Sequence, residues 1–220
     1  MKAMKKLLIL CIGVLLMGCT NNKPSSSETE EDDPPCSCPE CLIYLQPYGD
    51  FTKEQAKKLI PKLQENFDKY LYGCWKFKVL DPLPMPEEAY VKDRARYKAV
   101  CLLDKQLQQI KKLSNKDGET TMHLKAVIGL THKDICTNIH NVENYGIVGL
   151  SYTGGRYVGV VSDKRLKDKS LMWKPVMHEF IHAFYNAKHC PNDDPTCFMK
   201  DAKGHANFAV QNHLCDSCLQ

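Results

Sequence analysis

Five residues, His178-Glu179-Phe180-Ile181-His182, constrain this chain more than any other feature. Positions i and i+4 share one face of an α-helix, so a helix here lets both imidazoles reach one metal ion. Glu179 lies about 100° further round the axis, where its carboxylate can take a proton from a water attacking beside the metal. Val176, Met177, Phe180, Ile181, Ala183 and Phe184 surround the motif with apolar side chains, which fits a helix buried on most sides. The plainer reading of the same spacing is a pair of hydrogen-bonded core histidines.

A catalytic zinc takes three protein ligands and keeps a fourth position open. No glutamate follows Glu179 in the sequence, which excludes a downstream Glu ligand. Asp193 and Asp194 are available, and so is His189, seven residues after His182. Imidazole is the commoner partner for such a helix, so His189 leads.

The rest of the chain bounds the setting. Of its 220 residues, 43% are hydrophobic and 25% charged, a globular composition of one domain with added segments. Met1 to Lys6 is a basic n-region and Leu7 to Met17 a short apolar h-region, ending at Leu16-Met17-Gly18-Cys19. That ending resembles the bacterial lipobox, so residues 1–18 read as a signal peptide and Cys19 as the lipidated residue. An ordinary secretory signal with an incidental cysteine is the alternative. Acyl chains at Cys19 would hold the protein at the bacterial cell envelope as a membrane lipoprotein without spanning the bilayer. Residues 19–41 read as that cysteine and an acidic tether, because TNNKPSSSETEEDDPP has no apolar residue to bury. Three of the 30 basic residues lie in the signal, leaving 27 against 26 acids. A chain so near neutrality is a poor nucleic-acid binder.

Within 42–220, Leu42 to Leu45 reads as a buried strand. Thr52 and Gln55 form a capping box for a helix to about Tyr70, which Pro61 should kink or split. Trp75 to Leu80 reads as a second strand, followed by the rigid DPLPMP loop. Val100, Leu103, Leu107 and Ile110 mark an amphipathic helix from about Glu88 to Leu113. Leu124 to Leu130 is a third strand. Ile147 to Tyr152 and Arg156 to Ser162, split by Thr153-Gly154-Gly155, form a hairpin or paired strands. A last helix starts near Leu171 to Pro175, and a loop-rich end follows Asn186. Strands alternating with helices, then loops, indicate an α+β or α/β-like domain with a mixed sheet.

Past the helix the text becomes specific: His189-Cys190, then Cys197-Phe198-Met199, then Cys215-Asp216-Ser217-Cys218. This resembles the archaemetzincins, a metzincin-like family with the pattern HExxHxxGxxHC, CxM and a final CxxC. LQPYGD, DPLPMPEEAY, ARYKAV, IGLTHKDI, NYGIVGLS and VSDKRL extend the resemblance from Leu42 to Cys218. It implies a metzincin-like mixed sheet and a loop-rich C-terminal zinc segment. It also implies a catalytic zinc on His178, His182 and His189 with Glu179 as general base, and a second, structural zinc on Cys190, Cys197, Cys215 and Cys218. Met199 would be the methionine of the turn beneath the metal. The family is linked to aminopeptidase-like cleavage. Here Tyr185 occupies the family's glycine position and the third histidine comes one residue late, which is tolerable if Asn186 turns left-handed.

Outside the cytoplasm those four cysteines could instead form two disulfides. Cys36, Cys38, Cys41, Cys74, Cys101 and Cys136 remain, with disulfides tying the tether to the domain as the leading reading and metal binding by the CxCxxC cluster at Cys36 as the other. His123, His132, His140, His205 and His213 lack ligand spacing and read as surface or hydrogen-bonded residues. Two functions follow. One is a lipid-anchored zinc metallopeptidase acting on peptides, its substrate aligned by a strand such as Arg156 to Ser162 at the sheet edge. The other is a non-catalytic, zinc-stabilised surface binding or assembly module with a relic site. Glu179 discriminates them, since a binder has no use for a general base.

Overall fold

The computed structural model describes residues 40–116, 124–139, 141–201 and 207–219. Cys19, the tether and Cys36 and Cys38 lie outside the described residues, as do His123, His140 and His205. Among the described residues no helix is long and apolar enough to cross a membrane.

The first strand, β1 (Glu40–Tyr48), is longer at both ends than its apolar run suggests. It pairs in parallel with β2 (Cys74–Val79) on one side and β5 (Leu124–Thr131) on the other. β5 pairs in parallel with β9 (Val158–Ser162), and β8 (Gly149–Tyr152) closes the sheet antiparallel to β9. The order is β2-β1-β5-β9-β8. β1 is apolar on both faces because both are covered. Ile43 and Leu45 face a core shared with Phe67, Phe180 and Val176, while Leu42 and Tyr44 face one shared with Leu102 and Leu103.

Helices α1 (Lys53–Tyr70) and α3 (Trp173–Tyr185) supply the first of those cores, and α2 (Ala99–Lys116) the second. Thr52 and Gln55 cap α1 reciprocally, as the spacing indicates. Pro61 does not split α1, which runs unbroken across it. The carbonyl that loses its donor is that of Lys57, which is exposed and can bond to water instead.

Helix α2 starts eleven residues later than expected. In place of a helix over 88–98 the chain makes short 3₁₀ turns and two strands, β3 (Tyr90–Val91) and β4 (Arg96–Lys98). Ala95 adopts φ 49°, ψ 45°, which breaks any helical path, and the α2 periodicity begins only at Val100. β3 and β4 join β6 (Ile135–Ile139) and β7 (Val142–Ile147) in a second sheet, order β3-β4-β6-β7, that local patterning does not reveal. The strand expected over 147–152 is therefore divided: β7 belongs to this sheet and β8 to the first. Tyr152 and Val158 close the β8/β9 hairpin, but β9 is not at the edge; the edge strand is β8.

The C-terminal segment is irregular and packs onto α3. The buried Lys174 ammonium donates to the Phe208 carbonyl at 2.6 Å and to that of Gln211, holding the segment against the start of α3. Phe198, Met199 and Leu214 then enter the first core.

Candidate metal centre and active site

Helix α3 is buried along almost its whole length, His178 and Glu179 included. It ends at Asn186, whose φ of 54° and ψ of 29° are left-handed. The Asn186 side-chain oxygen accepts from the Gly154 N–H at 3.2 Å, tying this turn to the hairpin beyond β8. The reversal brings His189 back over the helix. Its ring centroid lies 5.4 Å from that of His178 and 4.8 Å from that of His182.

The imidazoles are oriented by the backbone. His178 Nδ1 lies 2.7 Å from the Phe198 carbonyl oxygen, and His182 Nδ1 lies 2.7 Å from that of Ala187. A carbonyl only accepts, so each Nδ1 carries the proton and each Nε2 is left with a lone pair. Those two Nε2 atoms approach to 2.9 Å. Burial holds His178 down to about 3, with His182 and His189 adding to the effect, and burial likewise lowers His182, so neither ring supplies a second proton between them. Two lone pairs meeting in a buried site fit a shared cation. One ligand atom from each of His178, His182 and His189 falls within 4.8 Å of the others. His189 remains half exposed, with Asp201 3.8 Å from its Nδ1. Asp194 instead accepts from the Thr196 N–H and hydroxyl at 2.8 Å and lies 3.2 Å from His213, while Asp193 pairs with Lys200.

The four cysteines also converge. Cys190 Sγ lies 3.5 Å from Cys215 Sγ, Cys197 Sγ 3.7 Å from Cys218 Sγ, and Cys215 Sγ 3.6 Å from Cys218 Sγ. All four sulfurs fall within 4.8 Å of one another, and all four are free thiols. A disulfide would need about 2.05 Å. Four thiolates around a zinc at about 2.3 Å stand about 3.8 Å apart, so this donor set fits zinc. The Met199 N–H donates to Cys197 Sγ at 3.4 Å. Met199 is fully buried, in the turn closed by the Lys200 N–H on the Cys197 carbonyl. The Phe198 carbonyl that orients His178 belongs to this same turn.

Glu179 points under the edge of the first sheet. A Cβ on Gly149 would lie 2.5 Å from Glu179 Oε1, and one on Gly159 would lie 3.3 Å from Glu179 Cβ. Burial pushes this carboxyl up to about 7, against a hydrogen bond from Ser151 that lowers it. A base near neutrality suits proton transfer at physiological pH. Motif spacing alone does not single out Gly149, Ser151 or Gly159. Glycines inside strand patterns signal close approach of another group, and two of these three positions carry that signal.

Of the remaining histidines, His132 meets Asp163 at 2.8 Å and packs on Phe51, and His213 meets Asp194, as hydrogen-bonded residues. Cys101 and Cys136 are free thiols.

No family model and no curated protein sequence matches the chain. Among solved structures it is similar to the archaemetzincin of Methanopyrus kandleri, at 25% identity and a TM-score of 0.58, covering 81% of this chain and 92% of that one. It is also similar to the archaemetzincin of Archaeoglobus fulgidus, solved with malonate, at 21% identity and a TM-score of 0.57, covering 80% of this chain and 97% of that one. The chain thus has the fold of the archaemetzincins, a zinc metallopeptidase fold, with two side-chain clusters among the described residues able to hold a metal ion.

Proposed function

We propose that this chain is a zinc-dependent peptidase held on the bacterial cell envelope by a lipid on Cys19. The catalytic zinc is bound by His178, His182 and His189, and a structural zinc by Cys190, Cys197, Cys215 and Cys218. The observation that carries the reading is the 2.9 Å approach of two imidazole nitrogens whose protons are both committed to backbone carbonyls.

When bound there, zinc supplies a Lewis acid that polarises the peptide carbonyl and acidifies water. Glu179 takes the proton of the attacking water and delivers it to the leaving nitrogen. Ser151 holds the carboxylate in place, and Gly149 and Gly159 make the space for it. The Phe198 and Ala187 carbonyls fix the two ring tautomers, leaving Nε2 for the metal. The edge strand β8 aligns an extended peptide by main-chain hydrogen bonds. A zinc-stabilised binding module would have no use for a buried carboxylate held by a strand hydroxyl beside two ligands, so that alternative is disfavoured.

Protein purified without chelator should carry about two zinc per chain. Glu179→Ala should retain both ions and lose hydrolysis of any responsive peptide; unchanged turnover would sink the general-base assignment. One zinc or fewer would overturn the two-site reading. Cys19→Ser should move the protein from the membrane fraction to the soluble one, and continued membrane retention would refute the anchor.

A further inference from the structure

Arg94, Arg96 and Arg165 converge on an open cavity of about 250 Å³ whose other wall is the 142–146 stretch of β7. Two of the guanidiniums are held in place. Arg165 grips Asp134 through Nε and Nη2, both at 2.7 Å. Arg96 donates from Nε to the same carboxylate at 2.8 Å and from Nη1 to the Asn144 carbonyl at 2.8 Å. Gly146 lets Arg165 lie against the strand, since any Cβ there would overlap the guanidinium. Arg94 makes no ion pair among the described residues. Within the cluster three guanidiniums face two carboxylates, those of Asp134 and Glu143, so one positive charge is uncompensated.

The cavity stands in line with the catalytic carboxylate. Gly146 precedes Gly149 by three residues, a span of at most about 11 Å, and Gly149 is the strand residue against which Glu179 lies. β7 ends the second sheet and β8 ends the first. Among the described residues no other strand pairs with the outer side of β7 or of β8, and Val148 alone joins them, so we read the run from Val142 to Tyr152 as one free edge, with the arginines at its start and Glu179 beneath its second half. Antiparallel pairing is the more favourable per residue. A peptide added to this edge in that sense runs from Tyr152 towards Val142, so the part beyond the bond at Glu179 is its C-terminal part.

We propose that the arginine cavity is a substrate subsite that binds a carboxylate about three residues downstream of the scissile bond. The carboxylate is either an Asp or Glu side chain or the C terminus of a short peptide. Planar guanidiniums with fixed N–H directions suit this group better than a lysine would. The assignment rests on the peptidase reading above.

The test uses the zinc-loaded protein and two peptide sets. In one, a single Glu is walked through an otherwise neutral, amidated sequence; in the other, short neutral peptides carry free or amidated C termini. Cleaved bonds are located by mass spectrometry. kcat/KM should be about tenfold higher when a carboxylate falls about three residues downstream, and the ratio should fall to about one in Arg94→Glu. The two sets separate a side-chain carboxylate from a terminal one. Equal rates throughout, or a preference that survives Arg94→Glu, overturns the subsite. Binding of the same peptides to Glu179→Gln, read by fluorescence anisotropy, reports the preference without turnover. An Arg94-dependent carboxylate preference in binding with no hydrolysis by the unaltered protein sinks the peptidase reading and leaves the subsite standing. Binding without such a preference sinks the subsite itself.

Discussion

His189 and Cys190 are neighbours in the chain, yet they enter two clusters of opposite character. Cys190 joins three other sulfurs, among which the closest pairs stand 3.5 to 3.7 Å apart, in a set of four that all fall within 4.8 Å of one another. His189 joins two other imidazoles in a set of three, and it is the exposed member. A closed four-ligand site can only hold structure together, while a three-ligand site leaves a position for chemistry. The two share one support, the 197–200 turn, which supplies Cys197 to one cluster and the Phe198 carbonyl to the other. On the function proposed above, ligand count and exposure assign stability to one of these adjacent residues and reactivity to the other.

That division can be broken experimentally, and the largest effect should come from the closed cluster. Cys197→Ser should lose one zinc and more than about 3 kcal/mol of stability, read as a fall in thermal midpoint with zinc present. His182→Ala should lose the other zinc and all turnover, with a smaller fall in midpoint. If the two variants gave equal destabilisation, the contrast would fail.

Gly149→Ala comes next. Its Cβ would lie 2.5 Å from Glu179 Oε1, so the base must shift while the three imidazoles stay. A loss of about 100-fold in kcat at unchanged zinc content is expected; full activity would show that Glu179 has room to spare.

Lys174→Met sharpens the structural side. It removes charged hydrogen bonds to the Phe208 and Gln211 carbonyls, at a cost of about 2 kcal/mol. Hydrogen exchange in 207–214 should accelerate more than in β1, and a uniform change across both would contradict the clamp.

The smallest effect belongs to Ser151→Ala, with a loss of about tenfold in kcat/KM. Glu179 works as a base only when ionised, so kcat/KM rises with pH through its titration. Burial pushes it up to about 7 even with the Ser151 hydrogen bond in place, and a zinc beside it would lower it further, so the limb falls below about pH 7. The Ser151 hydrogen bond also lowers it, so removing the hydroxyl should move the limb to higher pH. A shift to lower pH would refute the assigned bond.

The capping box of α1, the apolar run of β1 and the motif helix were legible because each is a pattern within one element. Asn186 was legible too, since an extra residue after a helix demands a left-handed turn and Asn accepts one. The failures share a cause. The expected helix over 88–98 is absent because Tyr97 and Lys98 pair with Ile135 and Cys136, far along the chain, and local patterning carries no trace of that pairing. Position before the motif helix points to Arg156 to Ser162 as the peptide-aligning strand, whereas the edge belongs to β8.

The same boundary divides the functional residues. His178, Glu179 and His182 could be named from the sequence because helical periodicity alone sets three side chains at one end of a short segment. Their tautomers, the seat of Glu179 under Gly149, and the line from that seat to three arginines depend on groups far apart in the chain. Only tertiary structure decided those, because main-chain pairing and burial, and not residue spacing, bring such groups into contact.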